Sequence, residues 1–532
     1  MKQLVQHLRN GSLELLDVPC PQVAPGHLLI RSRASVISAG TERMLVEFAR
    51  ASLLQKAKQQ PQRVQQALDK IKTDGLLTTV DAIRNRLDQP LAMGYSNLGE
   101  ITAVGEGVDG FQVGDRVASN GPHAEVVHVP RNLCVKVPDS VEDEQAAFAV
   151  LASIPLQGIR LLKPELGETV VVYGLGLLGL LAVQLLAASG VNVVGIDLDA
   201  NRLALAERFG ATALNAREGD PVELFRSLEG DAGADAVLIT ASAKSDRILR
   251  SAASIARKRG RIVLVGDVTP EFDRAEFYQK ELSLQVSCSY GPGRYDPLYE
   301  QQGIDYPLAY VRWTEQRNLE AVVEVMASGK LDPLPLVTQR IAHTRANEAY
   351  DSLVKDNSDL AILLQYPASN SASHLRVVRS WPPTAKAAPA VVGVIGAGQF
   401  ARGTLLPALS RTDTRLKCIT SSGGLNAAVL SRKFRIETAA TKNDAILSDE
   451  EINTVVIATR HGGIPELVID GKTGLLVDEY DIEAMAAKMI ELANDRALAA
   501  RLGATAREHI AANFSLEQSI DGLWGIVRKV MG

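Results

Sequence analysis

The sequence predicts an α/β protein with a small antiparallel β barrel first, a doubly wound parallel sheet next, and a second, partial α/β domain at the end. Three observations carry this prediction. Short β-type runs alternate with turns over 1–150, strands alternate with apolar helices over 151–265, and another strand–helix series begins near residue 390. A chain of 532 residues exceeds the size at which one core stops growing, so about two to four domains are expected.

The composition is that of an ordinary globular protein, with 46% hydrophobic and 22% charged residues. A formal net charge of −5, without a basic cluster interleaved with aromatic residues, argues against nucleic-acid binding. The N-terminal segment lacks the apolar stretch of a signal peptide. No CxxC pair occurs among Cys20, Cys134, Cys288 and Cys418, so a reducing cytoplasm is expected.

The remaining elements follow in chain order. Residues 43–88 interrupt the first β region with helix formers that are apolar at every third or fourth position, which predicts two or three amphipathic helices. These helices are either a surface elaboration or oligomer contact, or a substrate lid. Residues 266–366 return to mixed strands and helices, and 367–389, rich in Ser, Ala and Pro, are expected to be a linker. The second strand–helix series covers 390–461, and amphipathic helices fill most of 462–532.

The hexapeptide GLGLLG stands between the strand TVVVY and a long apolar helix. Gly174 permits a tight turn, Gly176 lets a diphosphate approach the backbone, and Gly179 allows close packing of helix on strand. The helix N-terminus, at Leu177 and Leu178, offers free N–H groups to phosphates. Because this apolar run follows a strand and closely spaced glycines, it predicts a buried helix and not a membrane span. The competing interpretation is a glycine turn that serves helix packing alone.

Asp197 ends the next strand and lies eighteen positions after Gly179. A carboxylate at this place can accept hydrogen bonds from both ribose hydroxyls of a dinucleotide and would repel a 2′-phosphate. The sequence therefore favours NAD over NADP as the cofactor. Arg202, in the following helix, would soften that preference.

Residues 1–366 resemble the medium-chain dehydrogenase/reductase superfamily. The resemblance rests on the segments ISAGTE, GYSNLGEITAVGEGVDGFQVGDRV and LAERFGA, together with the glycine turn. It implies a GroES-like catalytic domain over 1–150 and 266–366, and a Rossmann NAD-binding domain over 151–265. It also implies an alcohol dehydrogenase-like oxidoreductase, with a homodimer as the assembly usual in the superfamily.

Zinc members of this superfamily carry Cys-Gly-Ser/Thr-Asp and Gly-His-Glu, where this chain reads AGTE from Ala39 and GYS around Tyr95. Zinc needs three N, S or O ligands, and neither of these side chains normally supplies one, so no zinc is expected. His123 and His128 are five positions apart on a β segment and should lie on opposite faces.

The resemblance also suggests which side chains replace the metal. Thr41 stands where zinc members place the hydroxyl of their proton relay, and Tyr95 and Ser96 occupy the vacated ligand positions. A carbonyl oxygen that gains charge still needs a proton source or preorganised donors, so these three residues are the catalytic candidates. The alternative for Tyr95 is that it fills the void as packing.

The segment SYGPGRYD resembles the zinc-independent branch of the superfamily that includes bacterial bi-domain oxidoreductases. It contributes three polar side chains that follow a strand and are expected to contact a polar substrate. The candidates are Tyr290, Arg294 and Tyr295, with Lys280 beside them and Arg312 and Trp313 lining the same region. The alternative is a tight Gly-Pro-Gly turn with solvated charges.

The segment AVVGVIGAGQFARGTLLPAL resembles the nucleotide segment of the glucose-fructose oxidoreductase family, whose GxGxxA pattern is matched by Gly396, Gly398 and Ala401. The following strand ends in CITSS without a carboxylate for the ribose, which implies NADP tolerance or weak binding. The Glu-Lys-Pro segment of that family does not follow. Residues 462–532 resemble instead the last stretch of GT-B glycosyltransferases, without the upstream region that carries their paired glutamates.

These observations favour a zinc-independent, NAD(H)-dependent oxidoreductase that moves hydride between the nicotinamide and an alcohol or carbonyl. A sugar or polysaccharide precursor is the expected small-molecule substrate, with no nucleic-acid or membrane partner. The alternatives are a glycosyltransferase-related fusion protein and a nucleotide-binding scaffold without catalysis.

Overall fold

The computed structural model describes residues 1–50, 90–243, 245–355, 358–367, 375–383 and 390–457, with single positions between 471 and 508. The chain divides into two compact units, the first built almost entirely from residues before 374 and the second chiefly from residues beyond it. The helices predicted over 43–88 lie outside the described residues after residue 50, as does most of 462–532. No helix of the described part is long and apolar enough to cross a membrane.

The first unit opens with a β-rich part. Its elements are β1 (Lys2–His7), β2 (Leu13–Asp17), β3 (His27–Ser38), α1 (Ala39–Arg50), β4 (Pro90–Ala92), β5 (Asn97–Val104), β6 (Arg116–Ser119), β7 (Val126–Pro130) and β8 (Cys134–Lys136). The long strand β3 is central, because it pairs with both β5 and β7 in antiparallel register. A separate three-stranded sheet has the order β2-β1-β4.

A parallel sheet follows. Its elements, after the helices α2 (Asp143–Ala146) and α3 (Ala149–Leu162), are β9 (Thr169–Tyr173), α4 (Leu177–Ala188), β10 (Asn192–Asp197), α5 (Ala200–Arg208), β11 (Thr212–Asn215), α6 (Pro221–Glu229), β12 (Ala234–Ile239), α7 (Arg247–Ile255), β13 (Ala256–Leu264), α8 (Arg274–Lys280) and β14 (Ser283–Val286). The strand order β11-β10-β9-β12-β13-β14 is that of a doubly wound dinucleotide fold.

Burial explains the apolar sequence of this sheet. The central strand β9 contributes three consecutive valines, Val170, Val171 and Val172, with no exposed surface, because both faces of a parallel sheet are covered by helices. The apolar helix α4 is likewise buried along most of its length, which confirms the prediction of a sheet-packed helix. The predicted end of this domain at residue 265 is wrong, because β14 is the sixth strand of the same sheet.

The chain then returns to the β-rich part. The elements are α9 (Pro297–Glu300), α10 (Glu315–Ala327), β15 (Val337–Ala342), α11 (Ala346–Lys355) and β16 (Ala361–Gln365). Strand β16 pairs with β3, so the mixed sheet runs β15-β16-β3-β5-β6-β8, with β7 also on β3. The last strands of the first unit therefore close the sheet that its first strands begin.

The second unit contains a smaller five-stranded sheet. Its described elements are β17 (Val377–Arg379), β18 (Val391–Ile395), α12 (Leu406–Leu409), β19 (Arg415–Thr420), α13 (Leu425–Lys433), β20 (Thr438–Ala440), α14 (Asp444–Leu447) and β21 (Thr454–Ile457). Strands β20, β19, β18 and β21 are parallel neighbours in that order, and β17 joins β20 antiparallel. This order confirms a second, partial Rossmann-like segment.

Candidate active site and nucleotide sites

The first glycine turn joins the carboxyl end of β9 to the N-terminus of α4. Gly174 has a φ of 99°, and a Cβ there would lie 2.6 Å from the Ala241 backbone nitrogen. A Cβ at Gly179 would lie 2.0 Å from the Gly174 carbonyl oxygen, whereas one at Gly176 would have nothing within 4 Å. The turn is therefore tightly closed toward the protein and open at Gly176, where a diphosphate would approach the backbone.

The start of α4 supplies the donors for such a diphosphate. Leu177 and Leu178 are the first two helical residues after the turn, and their N–H groups have no intrahelical acceptor. The helix dipole adds a partial positive charge at the same place. The described residues thus fit a bound dinucleotide at this position.

Asp197 lies at the carboxyl end of β10 with its carboxylate turned toward the glycine turn. Its Oδ2 accepts a hydrogen bond from the Leu175 N–H at 2.6 Å, and its Oδ1 accepts from the Leu198 and Asp199 N–H groups at 2.7 and 3.0 Å. A carboxylate has about four lone-pair sites, so at least one remains for a ribose hydroxyl.

Two arginines lie in the segments that follow Asp197. Arg202 belongs to the first turn of α5, as predicted. The Arg217 Nε donates to the Leu198 carbonyl oxygen at 2.7 Å, which holds a guanidinium group beside the residue that follows Asp197. Sequence reasoning missed Arg217, because only the fold brings the end of β11 next to the end of β10.

Tyr95 lies on the loop between β4 and β5, with the hydroxyl groups of Thr41 and Ser38 as its near neighbours. The Tyr95 hydroxyl oxygen has no accessible surface and makes no hydrogen bond of proper geometry within the described part of the chain. Burial raises the pKa of Tyr95 to about 12, against the smaller opposing effect of the Thr41 and Ser38 hydroxyls. Tyr95 is therefore protonated at neutral pH and has a proton to donate.

Ser96 differs from its neighbour. Its side chain is 1% exposed, and its Oγ donates to the Ala147 carbonyl oxygen at 2.6 Å. That proton is already committed to a backbone acceptor, so the hydroxyl anchors the loop that carries Tyr95. Its predicted catalytic role remains a prediction.

A buried polar network lies behind these residues. Glu42 has no exposed surface, accepts from the Ser38 N–H at 3.2 Å, and accepts a second hydrogen bond from the Tyr350 hydroxyl. The His123 Nε2 is 3.4 Å from the Glu42 Oε2. Sequence reasoning did not assign these groups a function, although a charged residue at the junction of a buried strand and helix was a usable signal.

The described residues contain no group of three or more His, Cys, Asp or Glu side chains that could hold a metal. His123, which lies before β7 and not within it, faces Glu42 and Ser35, whereas His128 in β7 stacks on His27 with ring centroids 4.4 Å apart.

The segment after β14 gathers the predicted substrate contacts around one guanidinium group. Arg294 forms an ion pair with Glu300 at 2.5 Å and lies 5.7 and 4.5 Å from the ring centroids of Tyr290 and Tyr295. The Tyr290 hydroxyl accepts from the Asn120 Nδ2 at 3.3 Å, which links this segment to the β-rich part. Tyr295 is 71% exposed and free to meet a ligand.

A second carboxyl group, Glu315 at the start of α10, lies in the same cluster. It has no exposed surface, and neither of its oxygens has a hydrogen-bond partner among the described residues. Burial and the neighbouring Glu300 charge raise its pKa to about 8, despite the opposing Arg294 charge. Glu315 is therefore mostly protonated at neutral pH.

Two of the predicted substrate contacts have other partners. The Lys280 Nζ donates to the carbonyl oxygens of Ala253, Ser254 and Ala256 at 2.7 to 2.8 Å, so it caps the end of α7. The prediction that Lys280 contacts substrate is wrong, because its three donors are used by backbone acceptors. Trp313 is stacked between the guanidinium groups of Arg160 and Arg312, at 3.2 and 3.8 Å from its ring centroid.

The second glycine turn, between β18 and the helix that follows, repeats the geometry of the first. Gly396 has a φ of 98°, a Cβ at Gly398 would meet nothing within 4 Å, and Ala401 has no exposed surface. The difference lies at the end of β19, where the Thr420 hydroxyl donates to the Asn443 Oδ1 at 2.8 Å in place of a carboxylate. The turn fits a diphosphate but lacks an acidic ribose acceptor.

Four family models match parts of the chain. The alcohol dehydrogenase GroES-like domain matches 69–139, and the zinc-binding dehydrogenase model matches 178–301. The oxidoreductase family with an NAD-binding Rossmann fold matches 391–472, and glycosyl transferases group 1 match 451–509. The last two matches overlap, so one segment is similar to both families.

Known dehydrogenases are similar to part of the chain. An alcohol dehydrogenase from Moraxella sp. strain TAE123 is 32% identical over an alignment of 281 residues that covers 46% of this chain and 81% of the relative. A sorbitol dehydrogenase from Bacillus subtilis is 26% identical over an alignment of 314 residues that covers 53% of this chain and 82% of the relative. The solved alcohol dehydrogenase TADH from Thermus sp. ATN1 shares the fold over 69% of this chain and 100% of its own, with a TM-score of 0.54 and 21% identity.

Proposed function

Because the chain belongs to the medium-chain alcohol dehydrogenase family and is an NAD(P)-dependent oxidoreductase, we propose that it interconverts alcohols and carbonyls with NAD(H) and without zinc. The observation that carries this proposal is the Tyr95 hydroxyl, which is buried without a proper hydrogen-bond partner in the described residues and stands where zinc relatives have a ligand.

The cofactor is held by the first glycine turn. Gly174 and Gly179 shape the turn, Gly176 leaves room for the diphosphate, and the α4 N-terminus donates to its oxygens. The remaining lone pair of the Asp197 carboxylate accepts from a ribose hydroxyl, and its charge disfavours a 2′-phosphate, which selects NAD. When bound, the nicotinamide supplies or accepts the hydride.

Side chains of the β-rich part transfer the proton to and from the substrate oxygen. Tyr95, held protonated by burial, donates its hydroxyl hydrogen to the substrate oxygen as charge develops there, and takes it back when an alcohol is oxidised. The Thr41 and Ser38 hydroxyls stand next to that oxygen and stabilise the phenolate that the donation leaves. Tyr95 is thus the general acid and base, Thr41 assists it, and Ser96 anchors the loop.

The test combines one variant with a metal measurement. Tyr95→Phe removes only the hydroxyl and should lower kcat by roughly 10²- to 10⁴-fold, the usual share of general acid–base catalysis, with NADH affinity unchanged. Tyr278→Phe removes a hydroxyl from a tyrosine that is 73% exposed on α8 and is the matched control. Full activity of Tyr95→Phe, or stoichiometric zinc in the active protein, would contradict the proposal.

A polyol or sugar derivative is the proposed substrate. The supporting observations are the sorbitol dehydrogenase relative and the polar cluster of Tyr290, Arg294 and Asn120, which offers several hydrogen-bond partners to a hydroxylated molecule. A panel of polyols, aldoses and simple aliphatic alcohols measured as kcat/KM tests this class. Preference for unsubstituted aliphatic alcohols would refute it.

A second activity is suggested by the match of 451–509 to glycosyl transferases group 1. A glycosyltransferase-related function of the second unit predicts binding of a UDP- or GDP-sugar, measured by calorimetry on the full chain. The second glycine turn is proposed in addition to bind a dinucleotide without preference against NADP, because no carboxylate follows β19. A scaffold without catalysis is the remaining alternative, and turnover of NADH that Tyr95→Phe abolishes would eliminate it.

The cellular compartment is proposed from the state of the cysteines. Cys134, Cys288 and Cys418 are free thiols in the described part of the chain, which supports the proposed reducing cytoplasm. A homodimer, the assembly usual in the superfamily, stays a prediction that light scattering at several concentrations tests.

A further inference from the structure

We propose that Arg160 and Arg312, stacked on Trp313, form a binding site for a phosphate group. The Arg160 Cζ lies 3.2 Å and the Arg312 Cζ lies 3.8 Å from the ring centroid of Trp313. Two guanidinium groups cannot both lie this close to one face of an indole without overlapping, so they cover its opposite faces. The inference does not depend on the proposed function, because binding is measured without turnover.

The two positive charges of this stack lack a counter-charge. Neither Arg160 nor Arg312 forms an ion pair with an acidic side chain within the described ranges. Burial, and after it the Arg312 charge, lowers the pKa of Arg160 to about 10, so Arg160 remains a cation at neutral pH. The fold therefore holds two like charges next to each other in a chain whose formal net charge is −5. An anion bound to both would offset their repulsion.

The acidic side chains nearby interact more strongly with another arginine. Glu320 is affected by the Arg312 charge, but its pKa is raised by burial and is lowered more by Arg317 than by Arg312. Asp305 forms its ion pair with Arg317 as well. Arg317 thus takes up the acidic groups of this segment, and the stacked pair is left to an external anion.

The Arg160 guanidinium is held in a fixed orientation. Its Nε donates to the Asn318 Oδ1 at 2.6 Å, and the Asn318 Nδ2 donates to the Tyr290 carbonyl oxygen at 2.9 Å and to the Gln157 Oε1 at 3.2 Å. The two terminal nitrogens of Arg160 have no acceptor in the described part of the chain and retain accessible surface. They are therefore preorganised donors that a ligand can reach.

The backbone that carries Arg312 is fixed on both sides. The Arg317 Nη1 donates to the Val311 carbonyl oxygen at 2.6 Å, directly before Arg312. Thr314 is the N-cap of α10, and its hydroxyl accepts from the Arg317 N–H at 3.5 Å, directly after Trp313. The Arg312 side chain itself is exposed, so its donors face solvent beside the indole.

Phosphate suits this arrangement better than a carboxylate. Guanidinium groups bind both anions through paired, charge-assisted hydrogen bonds of about 2.7–2.9 Å. A carboxylate has two oxygens in one plane and one charge, whereas a phosphate monoester has three free oxygens in a tetrahedral arrangement and nearly two charges at neutral pH. It can therefore accept from guanidinium groups on both sides of the indole and match both of their charges.

Equilibrium dialysis of the full chain against radiolabelled inorganic phosphate, at constant ionic strength, tests the site. The glycine turns also offer donors to phosphate, so the phosphate held by the stack is the amount that the wild type binds in excess of variants with intact turns. Arg160→Gln and Arg312→Gln should each weaken this binding at least about tenfold, the loss expected for a hydrogen bond to a charged group. Arg160→Lys keeps the charge without the planar fork and should bind with intermediate affinity.

A matched control and a stability measurement exclude other roles. Arg208→Gln removes an exposed arginine in the last turn of α5 and should bind phosphate as the wild type does. Phosphate should also raise the urea midpoint of the wild type more than that of Arg160→Gln or Arg312→Gln, because a ligand stabilises only the form that binds it. A purely structural role of the stack would change the midpoints equally with and without phosphate.

The molecule that carries the phosphate is identified with two further probes. If it is a substrate, sorbitol 6-phosphate should displace inorganic phosphate, and its kcat/KM, unlike that of sorbitol, should fall in Arg160→Gln. If it is a free effector, inorganic phosphate should change the kcat/KM for sorbitol with the midpoint found by dialysis. The dialysis result decides the inference in either case.

Equal phosphate binding by the wild type, Arg160→Gln and Arg312→Gln would overturn the inference. An equal loss in Arg208→Gln would overturn it as well, because it would show a general effect of charge. If Arg160→Gln fails to fold, Arg312→Gln decides alone, since its side chain is exposed. None of these outcomes bears on the activity of Tyr95→Phe, so the proposed function is tested separately.

Discussion

Gly179 and Gly176 belong to the same glycine turn, but replacing each by alanine should affect different properties of the protein. At Gly179 an added Cβ would lie 2.0 Å from the Gly174 carbonyl oxygen and 2.9 Å from the Thr240 Oγ1. The turn and α4 would have to separate by about 1 Å or more, an overpacking that costs about 1–3 kcal/mol. Gly179→Ala should therefore lower the free energy of unfolding by about 2–3 kcal/mol.

At Gly176 the same methyl group meets no protein atom within 4 Å. The φ of −68° suits alanine, and the gain of about 0.4–1 kcal/mol from a stiffer unfolded chain offsets a similar loss at this helix N-cap. The methyl group would, however, occupy the path of the diphosphate. Gly176→Ala should keep wild-type stability and bind NADH at least about tenfold more weakly, a loss of about 1.4 kcal/mol.

Urea unfolding gives the free energy of unfolding of each variant, and NADH fluorescence titration gives its affinity for NADH. The expected pattern is a stability loss confined to Gly179→Ala and an affinity loss without a stability loss in Gly176→Ala. Wild-type NADH affinity in Gly176→Ala would refute the placement of the diphosphate. Wild-type stability in Gly179→Ala would refute the close approach of helix and turn.

Three further outcomes are expected. Gly94→Ala, which combines a φ of 87° with a Cβ 2.5 Å from the His123 ring, should lose about 2–4 kcal/mol in urea unfolding. Asp197→Ser removes the charge that disfavours a 2′-phosphate beside Arg217, so the kcat/KM ratio of NADP to NAD should rise at least about tenfold. Glu315, whose pKa rises from 4.5 to about 8 on folding, favours the folded state only while protonated. The wild type should therefore lose stability relative to Glu315→Gln as pH rises from about 4.5 to 8, and equal losses in both proteins would contradict this.

The parts of the fold that could be predicted from sequence are those that local backbone geometry dictates. Gly174 needs a positive φ, Gly179 needs the absence of a side chain, and both requirements leave a mark within six consecutive residues. The strand and helix periodicity around these glycines is equally local, so the parallel sheet could also be predicted from the sequence. The end of that sheet could not be predicted, because β14 has only four residues, most of them exposed, and lacks an apolar run.

The roles of single polar side chains were less predictable, because their partners are distant in sequence. Ser96 and Lys280 both stood among apparent site residues, yet their donors are used by the backbone at Ala147 and at the end of α7. In the other direction, Glu42 meets Tyr350 across 308 positions. A pattern of residue types cannot distinguish a free donor from one that the fold has already satisfied.

The second unit has the strand order and the glycine turn of a nucleotide-binding fold, but it has no carboxylate at the end of β19. Its four parallel strands reach the order β20-β19-β18-β21 by Ile457, close to the start of the segment that two family models share. The glycine turn is intact, but the place of an acidic ribose acceptor is taken by Thr420, whose proton goes to Asn443. A turn of this kind can bind a diphosphate through backbone N–H groups alone, which gives affinity without choice between NAD and NADP. Among the described residues, a carboxylate that follows a glycine turn and the buried Tyr95 hydroxyl occur together in the first unit, and we therefore place the proposed oxidoreductase activity there.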